Sequence, residues 1–120
     1  MKGGFCFKIY ETVFKDCFIL SSKYSNGNLQ LSLFGVDPAI NETAHIADIT
    51  LNQSRYLLKD NKIIVDCRYK QDFIPQLVAL KVLKKQVGTC VFKNCIYPIY
   101  TIDLNKIEQC SYKMQELVAA

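Results

Sequence analysis

Tryptophan is absent from this chain, histidine occurs once, and there are only three prolines and five glycines. Each shortage removes a class of chemistry. His45 stands alone in the strand-like ETAHIAD, where a single histidine reads as a structural or surface residue and not as a base within a working acid–base constellation. The glycines never cluster as a phosphate cradle demands, and no GxSxG, Walker, GxGxxG or HExxH motif occurs. No apolar run approaches the roughly 20 residues of a membrane span. Within MKGGFCFKIYETVFKDCFIL, the charges of Lys8, Glu11, Lys15 and Asp16 interrupt any signal-peptide core, which predicts a cytoplasmic protein. The six cysteines, at 6, 17, 67, 90, 95 and 110, include no CxxC pair and are expected to be free thiols. Cys90 and Cys95 would need two more ligands from distant segments to hold zinc, so neither a metal nor any other cofactor is expected. No local sequence singles out one thiol as a nucleophile, and Asp60 and Asp66 read as flanks of a turn. Strong acidity is also lacking: a net charge of +4 excludes a mimic of DNA.

What the chain does have is apolar alternation. Half of its residues are hydrophobic and 22% are charged, the balance of a globular protein, and its length suits one domain over 1–120. Phe5, Phe7 and Ile9 alternate with Cys6, Lys8 and Tyr10, and 13–20 reads likewise as a half-buried strand. Asn26-Gly27 between two such arms predicts a hairpin with a type I′ turn. The segment 36–42 reads as a loop and 44–51 as a strand. A second hairpin is expected over 56–69, turning at Asp60-Asn61, and a third over 89–102, turning at Lys93-Asn94. Pro98 places the returning strand of the third hairpin on an edge or at a bulge.

One internal segment reads as a helix, DFIPQLVALKVLKKQVG, about 72–87. Asp72 can cap it, Pro75 lies in its first turn, Lys84 and Lys85 suit its C-terminal dipole, and Gly88 can adopt a left-handed stop. A second helix is expected over about 104–118, where Leu104, Ile107, Met114 and Leu117 or Val118 can share a face. The sum is an α+β domain with one antiparallel sheet of six or seven strands.

The basicity is confined to one region. Residues 1–54 carry a net charge of −1, residues 55–93 carry +6, and residues 94–120 carry −1. Arg68, Tyr69, Lys70, Lys81, Lys84 and Lys85 are therefore the candidate binding residues, the cations steering an anionic partner and Tyr69 serving as an anchor. A solvated rim of helix and hairpin would present the same charges. Tyr56, Tyr69 and Phe73 lie near enough to act as stacking surfaces for nucleic acid. With seven lysines against two arginines in this region, such binding would follow the backbone and not the bases.

Three stretches, YSNGNLQLSLFG, AHIADITLNQSRYLLKDNKIIVDCRY and GTCVFKNCIYPIYTIDL, share an order and spacing that resembles a family of small domains of unknown function carried by phages and conjugative elements of gut bacteria. The matching positions are Tyr24, Asn26, Gly27 and Leu29, then Thr50, Leu51 and Asn52, then Gly88 and Pro98, within 22–103. The family lends no catalytic residues. The resemblance implies a non-enzymatic protein that binds a host protein or ribonucleoprotein stoichiometrically, as an anti-CRISPR or anti-restriction inhibitor does. A nucleic-acid-binding accessory protein and a binder of a small anion or nucleotide stay open as alternatives.

Overall fold

The computed structural model describes residues 4–53, 57–59, 61–68 and 70–110. Tyr56, Asp60, Tyr69 and the segment 111–120 lie outside them. The described residues form an α+β domain of seven strands and two short helices, with every strand among them pairing antiparallel. The strands form two sheets and not the single one expected. Strands β1 (Phe5–Ile9), β2 (Thr12–Lys23), β3 (Leu29–Asp37) and β4 (Glu42–Asp48) run in that order through the larger sheet. In the smaller, β7 (Cys95–Ile102) lies between β5 (Lys62–Ile64) and β6 (Leu83–Phe92).

Thr50 divides the two. It forms a lone bridge to Val65, while Ile49 N–H donates back to Leu31 in the larger sheet and Leu51 N–H donates to Ile64 in the smaller. The buried Thr50 hydroxyl accepts from Leu31 N–H (3.1 Å) and lies 2.9 Å from the Tyr24 hydroxyl. Next to it, buried Asn28 donates to Asn52 Oδ1 (3.1 Å) and accepts from Leu58 N–H (2.8 Å). Tyr24, Thr50 and Asn52 thus knit the turn between β2 and β3 to the segment that joins the two sheets. The same ties explain why, among the described residues, the hairpin expected over 56–69 does not form. The described residues Leu57 and Leu58 belong to no strand, and β5 pairs with β7 and the 49–51 segment instead.

The turns follow local chemistry. Gly27 has φ 91° and its N–H donates to the Tyr24 carbonyl (2.9 Å), while Tyr24 N–H donates to Asn28. This is a three-residue loop with glycine in the left-handed position, in place of the expected two-residue I′ turn. The I′ geometry occurs at Lys93-Asn94, whose φ values are 49° and 65°. Between β3 and β4 only 38–41 lies outside strand structure, so the loop expected over 36–42 is shorter than its polar composition suggested.

Helix α1 covers only Phe73–Ala79, with Leu80 as C-cap. Lys81 takes φ 63°, its N–H donates to Val78 (2.9 Å), and Val82 N–H donates to Leu77 (3.1 Å). This pair of bonds is a Schellman stop, and the buried side chains of Leu77 and Val82 occupy its hydrophobic-contact positions. The expected helix over 72–87 is corrected accordingly: 83–87 is β6, and Gly88 pairs with Ile99 inside that strand. Asp72 occupies the N-cap position at φ 58°, yet its side chain caps nothing. Helix α2 covers Leu104–Gln109, capped by the Asp103 side chain accepting from Lys106 N–H (3.1 Å); the remainder of the helix expected to 118 lies outside the described residues.

The main core lies between the sheets and under both helices, built from Phe7, Ile19, Leu31, Leu33, Ile63, Val65, Phe73, Leu77, Leu83 and Ile107 among others. Phe7 meets Phe73 edge to face at 5.5 Å, a contact worth about 1 kcal/mol beyond burial. A smaller cluster of Ile64, Cys90 and Tyr97 forms on the other face of the smaller sheet, with Leu51 and Leu58 over it. Pro98 falls within the central strand β7, not on a sheet edge. Its missing N–H is tolerated because β5 ends one rung earlier, at Ile64 opposite Ile99, and Val65 N–H reaches the Pro98 carbonyl (3.0 Å).

Candidate functional site

The basic residues separate into inward and outward groups. Lys70 turns inward: its ammonium donates to the carbonyls of Asp48 (3.0 Å) and Asp66 (2.8 Å) and lies 3.5 Å from the Asp66 carboxylate. It also sits 5.0 Å from the Phe73 ring centroid, and its side chain is only 18% exposed. Lys70 therefore ties the end of β4 to the segment between β5 and α1. Arg68 is exposed, with its guanidinium 6.0 Å from the Tyr97 ring centroid and Nη1 3.7 Å from Cys95 Sγ. Burial pushes the Tyr97 phenol up, and the Arg68 charge pulls against that shift. Tyr69 lies outside the described residues. Phe73, expected as a stacking surface, is buried in the main core.

Lys81, Lys84 and Lys85 remain, all exposed and all at the junction of α1 with β6. Lys81 holds the left-handed position of the helix stop. Lys84 falls where the β6–β7 register shifts between Leu83 and Lys85, a bulge in a strand at the border of its sheet. No Asp or Glu occurs anywhere from Phe73 to Ile102, which also holds Lys93. The run is thus basic with no acid within it, Asp103 adjoining it through an N–H donated to the Val82 carbonyl (3.1 Å), and the acid-free run is a signal that a charge count over 55–93 averages away.

Other groups offer less. His45 Nε2 and Ser32 Oγ both approach Asp48 Oδ1, at 2.9 and 3.4 Å. The imidazole does not stand between hydroxyl and carboxylate, the order that activates a serine. His45 also meets Phe34 edge-on at 5.3 Å, which stacks on Phe18 at 5.5 Å. All six cysteines are unbridged. Burial raises the Cys17 thiol to about 12 and shifts Cys67 and Cys110 in the same direction. Among the described residues, no three His, Cys, Asp or Glu side chains gather as a metal would require.

Several clefts open at the surface. One of about 420 Å³, between the β1–β2 turn and α1, is lined by Lys8, Tyr10, Glu11, Gln71, Asp72 and Gln76, charges of both signs. Another of about 310 Å³ has Lys23, Asn61 and Lys62 around the apolar surfaces of Leu29, Leu58 and Leu104. Among the described residues no helix is long and apolar enough to cross a membrane.

Fold and site together define a two-sheet α+β domain with one basic, carboxylate-free sheet border. Comparison with protein-family models, curated proteins and solved structures gave no match.

Proposed function

We propose that this is a non-enzymatic binding protein that acts by stoichiometric contact with a host protein or ribonucleoprotein through its basic face. The observation that carries the reading is the exposed run Lys81, Lys84 and Lys85 at the border of the smaller sheet, with no carboxylate between Phe73 and Ile102. Such a field steers an acidic partner and raises its rate of encounter. The resemblance to phage and mobile-element domains supplies the setting, in which the bound host component belongs to a defence system of the CRISPR or restriction type.

The test is affinity capture from bacterial lysate with tagged protein, followed by nuclease treatment. One protein partner retained in stoichiometric amount is expected, and Lys81→Glu/Lys84→Glu/Lys85→Glu should lose it with the melting temperature unchanged. Full capture by that variant refutes the reading. Heterogeneous nucleic acid released by salt would move the function to direct nucleic-acid binding. The cleft bearing Lys23 and Lys62 favours a second reading, a small anion with an apolar body. Ligand absorbing near the nucleobase maximum in the purified protein would support it.

A further inference from the structure

Strand β6 ends the smaller sheet, and its two halves differ. The first half is broken by register shifts between Leu83 and Lys85 and between Gln86 and Gly88, and it carries Lys84 and Lys85. Bulges and lysines are the devices that keep an unpaired strand from recruiting another chain. From Thr89 to Phe92 neither device occurs.

The register shows which backbone groups this second half offers. The two-residue turn is closed by Phe92 and Cys95, and in such a hairpin the closing pair exchanges both main-chain hydrogen bonds. The pairs Val91–Ile96 and Thr89–Pro98 are then of the alternate kind, with N–H and C=O turned away from each other's strand. Pro98 agrees, since its carbonyl accepts from Val65 on the opposite side. Thr89 and Val91 consequently direct two donors and two acceptors outward, spaced about 7 Å apart along the strand. The Val91 carbonyl has the Cys90 thiol at 3.9 Å, a weak partner. Val91 and Ile96, paired across the hairpin, are 62% and 69% exposed. Cations stand at both ends, Lys84 and Lys85 before this half and Lys93 after it, with no acid along the hairpin.

We propose that β6 receives an extended acidic peptide segment of a partner protein by strand addition. Its backbone pairs with Thr89 and Val91, an apolar side chain covers Val91 and Ile96, and its carboxylates meet Lys84, Lys85 and Lys93. The charge argues against a second copy of this chain as occupant, because two like strands bring lysines towards lysines. The inference rests on the binding role of the basic face and names its partner's chemistry.

The probe is a labelled, end-capped hexapeptide alternating glutamate with valine, followed by fluorescence anisotropy, beside the same peptide N-methylated at alternate residues. Saturable binding is expected for the first peptide and not for the second. Val91→Pro removes an outward N–H that the β7 ladder does not use, and should weaken binding roughly tenfold, as loss of one or two backbone bonds implies. The N-methylated peptide repeats the test with the protein unaltered. Absence of binding, equal binding of the N-methylated peptide, or self-association of the protein lost in Val91→Pro each overturns the proposal. Undiminished binding to Val91→Pro, with Lys84→Glu/Lys85→Glu abolishing it, overturns strand addition while the basic face stands.

Discussion

Replacing Lys70 with methionine keeps most of the apolar stem and removes the ammonium that joins β4 to the segment before α1. Hydrogen bonds from a charged donor contribute about 1.5–3 kcal/mol each, and Lys70 makes two to main-chain carbonyls, at 3.0 and 2.8 Å. The side chain is 18% exposed, so solvent screens these bonds only in part. The Asp66 carboxylate, more exposed at 28% and farther away at 3.5 Å, adds under about 1 kcal/mol. The Phe73 ring at 5.0 Å adds a similar amount. Because one ammonium serves all four partners, these contributions overlap, and a loss of about 2–4 kcal/mol is expected. Lys84→Met and Lys85→Met, whose parents are exposed, should stay within about 0.5 kcal/mol of the parent. Urea unfolding at fixed pH measures all three, with the slope against denaturant unchanged if only stability has moved. A loss under about 1 kcal/mol for Lys70→Met, or an equal loss for the other two, refutes the division of the basic residues into inward and outward groups.

Lys81→Gly should stabilise the protein by up to about 1 kcal/mol, since glycine takes the left-handed φ of 63° without a Cβ penalty; a lower melting temperature would contradict the helix stop described. Alkaline pH should destabilise. An unfolded Cys17 thiol releases its proton near the ordinary value of 9.0, whereas the folded one holds it to about 12. The unfolded state therefore binds fewer protons across that window, and stability falls as pH rises, by at most about 1.4 kcal/mol per pH unit for this group. Burial shifts Tyr24, Tyr97, Cys67 and Cys110 in the same direction. A urea midpoint that stays flat or rises between about pH 8 and pH 10 would count against the buried thiol.

The strands were legible where alternation was clean. Phe5 to Ile9 and the hairpin around Lys93-Asn94 stand where the pattern puts them, because period-two burial and a two-residue turn are both local properties. The helix expected over 72–87 is too long because 80–87 is apolar enough to satisfy either period, and Gly88 has the form of a stop. What ends α1 is a lysine in a conformation usually given to glycine, held by Leu77 and Val82, and no propensity at Lys81 announces it. The division into two sheets was equally hidden, since it depends on Thr50 meeting Val65 and Tyr24 across the fold. For the candidate face, charge density points to Lys81, Lys84 and Lys85, which the structure leaves exposed at one junction. It could not separate them from Lys70, whose Asp66 partner is four residues away but whose Asp48 partner is 22 away. Thr89 and Val91 carry no charge at all, and only their position in the ladder distinguishes them.

Gln76 closes the outer side of β1 in an unusual way. Its carboxamide accepts from Lys8 N–H (2.8 Å) and donates to the Lys8 carbonyl (2.7 Å), the two bonds a neighbouring strand would otherwise make. A side chain from α1 thus impersonates one peptide unit of a fifth strand. That helix holds Gln76 in place and so masks the β1 border at this rung. Fraying of α1 would therefore unmask that rung of β1, and the exchange rate of a single amide, that of Lys8, reads how often the border opens there.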